Sequence, residues 1–118
     1  MNFDFKKYTI LNQIILNDGK KIILFASCYD DDQQNHEILG KEVFLFDNNN
    51  NIIWQIDSPQ GERHIFNSTT NKYESEPYDW YFSSIYQNDK KILAEKFNGD
   101  VFEVDLETGK ASYIYWTK

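Results

Sequence analysis

The chain has 118 residues, and its nineteen Asp and Glu against twelve Lys and Arg give a formal net charge of −7 at pH 7. Phosphate contacts need clustered basic residues, and anionic membranes repel an acidic surface, so neither nucleic acid nor a membrane is the expected partner. This length suits one domain, and an aromatic content of 17% is far above that of a disordered acidic tail. We therefore expect a single packed domain over residues 1–118.

Cys28 is the single cysteine, which excludes an internal disulfide and is typical of a reducing compartment. The first residues lack the basic start and apolar run of a signal peptide, and the longest apolar run, 22–26, is too short to cross a bilayer. The sequence thus predicts a cytoplasmic protein. Cys28 follows an apolar segment without a neighbouring base, so we expect a small buried hydrophobe there rather than a nucleophile.

Turn signals recur about every ten residues, which is the spacing of an antiparallel all-β domain. Asn17-Asp18-Gly19 predicts a hairpin, because glycine accepts the positive φ of a tight turn. Segment 3–16 suits either a helix face or a strand, and the turn that follows favours a strand for its second half. The apolar segments that these signals separate are 14–16, 21–28, 42–46, 52–56, 80–86, 91–97, 101–106 and 110–116.

Two stretches of the chain resemble each other. Gly40–Asp47 matches Gly99–Asp105 with one insertion, and each is preceded by a Lys-Lys pair and an apolar strand and followed by a strand with a tryptophan. The simplest account is two similar three-stranded meanders, with chance similarity between short hairpins as the competing one. Two such units are too few to close a propeller. We therefore expect an all-β antiparallel meander of about seven or eight strands, packed as a sandwich or open half-barrel.

The connection 57–79 is polar and more than twenty residues long, which compact domains seldom leave as a structureless loop. We expect it either to be partly structured, around 64–66, or to form a functional surface. The aromatic segment that follows is predicted to be a strand. Its alternation would place Trp80, Phe82 and Tyr86 in the core and Tyr81 on the opposite face.

The acidic surplus is concentrated in three patches rather than scattered. The first patch contains Asp30–Asp32 and the second contains Glu74, Glu76 and Asp79. The third comprises Asp100, Glu103, Asp105 and Glu107. Like charges this close repel one another, so a cationic partner is expected to offset the repulsion, and tyrosine is enriched at protein interfaces. The predicted partner-binding residues are the acidic side chains Asp30, Asp31, Asp32, Glu74, Glu76 and Asp79, with Tyr78 and Tyr81 as aromatic anchors.

No motif in the sequence predicts catalysis, a metal or a cofactor. Asp30, Asp32 and Gln34 alternate as calcium ligands do, but the central glycine and the glutamate at the twelfth position are missing. Clustered carboxylates can serve glycoside hydrolysis only when two of them face each other across a cleft. We expect a protein that is not an enzyme and holds no cofactor, and a small acid-dependent hydrolase remains the third hypothesis.

The C-terminal third carries a resemblance to known proteins. Ile85–Ala94, Asn98–Asp105 and Thr108–Lys110 form a hairpin pattern that is similar to blades of quinoprotein-like propellers. It also resembles the immunity proteins of contact-dependent growth inhibition and related polymorphic toxin systems. That resemblance implies a small, acidic, cytoplasmic bacterial protein that occludes the active site or substrate surface of a cognate toxin, often a basic nuclease. The alternative is a small β binding module for a carbohydrate or a cell-surface partner.

Overall fold

A computed structural model describes residues 5, 7–26, 38–57, 64–67, 69, 72–75 and 81–117. In this part of the chain the protein is all-β, as predicted, and none of it forms a helix long and apolar enough to cross a membrane. The strands are β1 (Ile10–Ile15), β2 (Lys21–Phe25), β3 (Val43–Phe46), β4 (Ile52–Gln55), β5 (His64–Asn67), β6 (Lys72–Ser75), β7 (Phe82–Asn88), β8 (Lys91–Lys96), β9 (Asp100–Val104) and β10 (Ala111–Trp116).

Eight of these strands form two antiparallel four-stranded sheets. The N-terminal sheet has the order β1-β2-β3-β4 and the C-terminal sheet has the order β10-β9-β8-β7, so every strand pairs with its sequence neighbour. The predicted hairpin is present: Gly19 has φ +92°, and the Leu16 amide donates to the Lys20 carbonyl at 2.8 Å. The strand expected in the second half of 3–16 is β1, and the 57–79 connection is partly structured, since β5 pairs with β6.

The internal similarity seen in the sequence corresponds to equivalent places in the two sheets. The two matched stretches contain β3 and β9, and the Lys-Lys pairs stand at the start of β2 and β8. The turns that follow β3 and β9 are closed alike, because the amides of Asp47 and Asp105 donate to the carbonyls of Asn51 and Lys110, both at 2.9 Å. Each unit has four strands rather than the three expected, since β1 and β7 complete the sheets.

One apolar cluster is shared by the two sheets and holds them face to face. Trp54 in β4 donates its indole N–H to the Leu106 carbonyl at 2.8 Å, and Asn12 in β1 donates its side-chain amide to the Ile85 carbonyl at 3.1 Å. The fold is therefore an antiparallel all-β arrangement of two open four-stranded sheets, consistent with the predicted sandwich or open half-barrel. The buried members of this shared core are Ile22, Leu24, Val43, Leu45, Trp54, Ile56, Phe82, Ile85, Ile92, Ala94, Phe102, Val104 and Ala111.

A second apolar cluster covers the other face of the N-terminal sheet. Strand alternation in β2 and β3 turns Phe25 and Phe46 away from the shared core, and both are fully buried. The ring of Phe5 packs on Phe46 with a centroid distance of 4.9 Å, and Tyr8 lies 5.7 Å from Phe25. The two central strands of the N-terminal sheet, β2 and β3, are consequently buried on both faces.

The expected alternation fails in β7. Phe82 is buried in the shared core as predicted, but the pairing of β7 with β8 shifts between Phe82 and Ser84. This bulge inserts Ser83, so Ile85 is the next inward residue and Tyr86 is half-buried on the opposite face. The prediction of Tyr86 as a core residue is therefore wrong. Trp80 lies outside the described residues.

Candidate functional site

The outer face of the C-terminal sheet is the surface of β7–β10 that points away from the shared core. Strand alternation identifies it, because Ala94 and Phe102 lie in the core and their chain neighbours must point outward. Lys96 also points inward, with its Nζ 5.2 Å above the rings of Phe82 and Phe102. The outward side chains are Tyr81, Ser84, Tyr86, Leu93, Glu95, Phe97, Val101, Glu103, Ser112 and Tyr115.

Two tyrosines bridge this face from opposite edges of the sheet. Tyr86 is on β7 and Tyr115 is on β10, and their side chains are hydrogen-bonded although roughly 14 Å separates the two strands. The rings therefore lean over β8 and β9, where Leu93 and Val101 are buried. Burial, followed by the hydrogen bond to Tyr115 and the negative charge of Glu95, raises the pKa of Tyr86 to about 12. Tyr86 is thus a neutral donor at any physiological pH.

A second aromatic pair lies at the end of β8. The rings of Tyr81 and Phe97 stack with a centroid distance of 5.2 Å and an interplanar angle of 20°. The Phe97 amide donates to the Tyr81 carbonyl at 2.9 Å, which fixes the two residues relative to each other. Phe97 remains 47% exposed, so this pair presents an aromatic surface to the exterior.

Carboxylates accompany the aromatic rings on the same face. Glu95 is half-buried, and its Oε2 lies 3.2 Å from the Thr117 hydroxyl. Thr117 is itself anchored, because its amide donates to the Gly99 carbonyl at 2.9 Å. Glu103, two strands from Tyr86, pairs with Lys91 at 3.6 Å, and both side chains are largely exposed. The face combines large rings with negative charge, which suits a partner surface that is basic and partly apolar.

Most of the predicted partner-binding residues are not among those described. Glu74 is in β6, where its backbone pairs with Ile65. Tyr81 is the one predicted anchor with a described side chain, and its stacking on Phe97 places it at the end of the outer face. The predicted residues that lie outside the described part of the chain are Asp30, Asp31, Asp32, Glu76, Tyr78 and Asp79, and Cys28 lies outside it as well.

One member of the third acidic patch, Asp100, is buried, whereas Asp105 and Glu107 are exposed. Asp100 is only 4% exposed, its Oδ2 accepts from the Asn98 side-chain amide at 3.2 Å, and its own amide donates to Asn98 Oδ1 at 3.1 Å. Asp105 is exposed but caps its own turn, since its Oδ1 accepts from the Glu107 amide at 2.8 Å. Asp100 therefore stabilises the β8–β9 turn instead of contributing to an exposed negative charge.

Sequence reasoning missed three residues of this face: Glu95, Phe97 and Tyr115. The signal that could have found Glu95 is its position between Ala94 and Lys96, since alternation along the strand turns Glu95 to the face opposite these two inward residues. Phe97 and Tyr115 could not be placed on this face from the sequence. Their positions depend on the turn after β8 and on the register shift in β10, which only the structure shows.

Among the described side chains, no group of three His, Cys, Asp or Glu residues is arranged to hold a metal ion. Comparison of the chain with protein families, with curated proteins and with solved structures gives no match to any of them.

Proposed function

We propose that this chain is a non-enzymatic immunity protein of the bacterial cytoplasm, which binds a cognate toxin with a basic surface and neutralises it by occlusion. The observation that carries the proposal is the outer face of the C-terminal sheet, where half-exposed aromatic rings stand beside Glu95 and Glu103 in a chain of net charge −7. Exposed rings supply contact area at low entropic cost, and the negative charge attracts a basic partner and speeds its capture. The resemblance of the C-terminal hairpins to immunity proteins supports the same function.

The acidic loops that carry Asp30–Asp32, Glu76 and Asp79 belong to the proposal as the electrostatic part of the contact. Changing Asp30–Asp32 together to Asn would slow association with the toxin, most visibly at low salt, because exposed charges act mainly on the rate of encounter. The aromatic side chains are proposed to form the part of the interface that is buried in the complex: Tyr81, Phe97 and Tyr115.

The test is co-expression of the chain with the product of the gene immediately upstream, followed by purification through a tag on this chain. We expect a stoichiometric complex in which the toxin activity is lost. The matched variants are Tyr115→Ala and Ile10→Ala, whose side chains are 45% and 46% exposed but lie on the C-terminal and N-terminal sheets. Tyr115→Ala should weaken the complex, whereas Ile10→Ala should leave it unchanged.

A folded chain that captures no protein and protects no cell would contradict the proposal. The exposed rings of Phe97 and Tyr115 would then favour the second candidate, a carbohydrate-binding module, since such modules stack sugars on aromatic side chains. Glycan binding that is insensitive to salt and lost in Tyr115→Ala would establish that alternative.

A further inference from the structure

A cleft of about 340 Å³ lies where the turn between β1 and β2 faces the turn between β9 and β10. It shares no lining residue with the outer face of the C-terminal sheet. Its deepest side chain is Leu45, which is only 3% exposed and belongs to the shared core. The other aliphatic side chains that line the cleft are Leu16, Ile53 and Leu106, so an apolar surface continues from the core to the exterior.

A bulge in β4 brings Ile53 to this cleft. Leu45 pairs with Trp54 and Phe46 pairs with Ile52, so Ile53 is an extra residue between two pairs of the ladder. Regular alternation would place Ile53 on the face opposite Trp54, away from Leu45. A bulge redirects a side chain, and here it adds a fourth aliphatic group to the cleft while leaving Ile53 43% exposed.

Hydrogen bonds hold both sides of the cleft in place. On one side the Leu16 amide donates to the Lys20 carbonyl at 2.8 Å, and the Gly19 amide donates to the Leu16 carbonyl at 3.0 Å. On the other side the Leu106 carbonyl accepts from the Trp54 indole at 2.8 Å. A cleft that is formed in advance can take up an occupant with little loss of conformational freedom.

The open end of the cleft carries an excess of negative charge. Asp18 and Lys20 lie there and form an ion pair at 3.1 Å, so the two charges compensate each other. Glu107 is the other charged residue at this end. Its amide donates to Asp105 Oδ1, but its exposed carboxylate has no hydrogen bond or ion pair among the described residues. An occupant with an aliphatic body and a cationic end would therefore match the cleft in both respects.

We infer that this cleft receives a lysine side chain of the basic partner, with its methylene stem against Leu16 and Leu106 and its ammonium beside Glu107. Lysine buries its stem along apolar surfaces while its charged end stays in water. Arginine suits the cleft less well, because the described side chains that line it include no aromatic ring for a guanidinium to stack on.

The size of the cleft adds a second element to the contact. It has room for roughly ten non-hydrogen atoms at about 30 Å³ each, which exceeds one lysine side chain. An aliphatic residue of the partner is therefore expected to enter beside the lysine. The inference rests on the proposed function, because it takes the partner to be a basic protein, and it adds a contact beyond the outer face of the C-terminal sheet.

The experiment titrates the ¹⁵N-labelled chain at low salt with hexylammonium, which represents a lysine side chain with a longer stem. We expect saturable shifts of the amide signals of Ile53, Leu106 and Glu107. Hexanoate has the same length and the opposite charge, and it should bind about fivefold more weakly. Ethylammonium has the same charge and should not saturate, because it lacks the methylenes that the aliphatic side chains would bury.

Two pairs of variants separate the charge from the aliphatic lining. Glu107→Gln should weaken hexylammonium binding about threefold, whereas Glu103→Gln removes the same charge on the outer face of the C-terminal sheet and should leave it unchanged. Ile53→Ala should also weaken binding about threefold. Ile10→Ala truncates an isoleucine of similar exposure, 46% against 43%, outside the cleft and should bind as the wild type does.

Equal binding of hexylammonium and hexanoate, unshifted signals around the cleft, or equal effects of Glu107→Gln and Glu103→Gln would each overturn the inference. The probes contain no toxin, so such a failure leaves a complex found by co-expression intact. A toxin complex that tolerates Ile53→Ala as well as Ile10→Ala would likewise overturn the inference and leave the proposed function standing. Saturable, charge-selective binding without any captured toxin would uphold recognition of an alkylammonium group and reject the immunity function.

Discussion

The two sheets share their strand order and their turns, but their outer faces differ. The outer face of the N-terminal sheet carries Phe25 and Phe46, which are fully buried under Phe5 and Tyr8. The corresponding face of the C-terminal sheet carries Tyr86, Tyr115 and Glu95, which lie outside both apolar clusters. A similar meander therefore supports two kinds of surface: one stabilises the fold through burial, and the other is expected to tolerate substitution and to be available for recognition.

The difference between the two outer faces can be tested most directly by truncating one aromatic ring on each of them. Phe46→Ala removes a fully buried ring and should lower the free energy of unfolding by about 3–5 kcal/mol, because a cavity remains in a packed cluster. Tyr115→Ala removes a ring that is 45% exposed and should cost about 1 kcal/mol. Urea unfolding of both variants measures the difference, and equal losses would show that the two faces are not distinct.

The contact between the sheets can be tested at a glycine. Gly109 has φ +78°, and a Cβ there would lie 2.6 Å from Trp54 Cδ2, so the alanine variant strains the backbone and displaces the indole. We expect Gly109→Ala to cost about 2–4 kcal/mol. Gly19→Ala is the matched control, because its φ is +92° but its Cβ would meet the flexible side chain of Asn48. The control should cost about 1–2 kcal/mol.

Thermal unfolding of the two glycine variants decides whether Trp54 joins the sheets as described. A smaller loss for Gly109→Ala than for Gly19→Ala would mean that the indole moves aside without cost. The intact contact instead predicts that Trp54 emission shifts to longer wavelength only in the Gly109 variant.

Alkaline titration measures the ionisation of Tyr86 on the outer face of the C-terminal sheet. The folded-state pKa of Tyr86 is raised from 10.0 to about 12, so its neutral form is favoured in the folded protein. The stability that this group contributes is complete below pH 10 and is lost as the pH rises towards 12. Ultraviolet absorbance should show a late tyrosine ionisation that disappears in Tyr86→Phe. In Tyr115→Phe the pKa should fall only in part, since burial is the larger cause.

The smallest expected effect concerns the turn that follows β3. Hydrogen bonds from the amide of Asn51, followed by that of Asn49, lower the pKa of the Asp47 carboxyl below 3.8. The stability from Asp47 is therefore present above that pH and is lost as the pH falls through the folded-state pKa. Asp47→Asn should lower the melting temperature slightly near neutral pH and not in strong acid. A uniform decrease at both extremes would indicate that the charge of Asp47 plays no part.

Local patterns in the sequence predicted the strands but not how their faces are arranged. Asn17-Asp18-Gly19 determines its hairpin through a backbone preference of the residues themselves, so it was predictable. The bulge at Ser83 was not, because it depends on the pairing of β7 with β8 rather than on any residue of β7. As a result, Tyr86 was assigned to the wrong face while Phe82 was assigned correctly.

The candidate site depends on side chains that the topology brings together from distant parts of the chain. Tyr115 reaches Tyr86 because β10 and β7 are opposite edges of one sheet, a relation that no spacing in the sequence encodes. Acidic runs such as Asp30–Asp32 were visible in the sequence, but charge alone does not determine which run meets a partner. Asp100 illustrates the limit, since it is acidic in the sequence and buried in the fold.

The order of the strands also governs how the chain folds as it leaves the ribosome. The N-terminal sheet can pair from a continuous segment, but Ile22, Leu45 and Trp54 need β7–β9 to cover them. At a synthesis rate of about 5–20 residues per second, that cover arrives several seconds after β4 has emerged. During this interval the nascent sheet exposes an apolar face, so chaperone capture or rapid translation of the connection after β4 would favour correct assembly over aggregation.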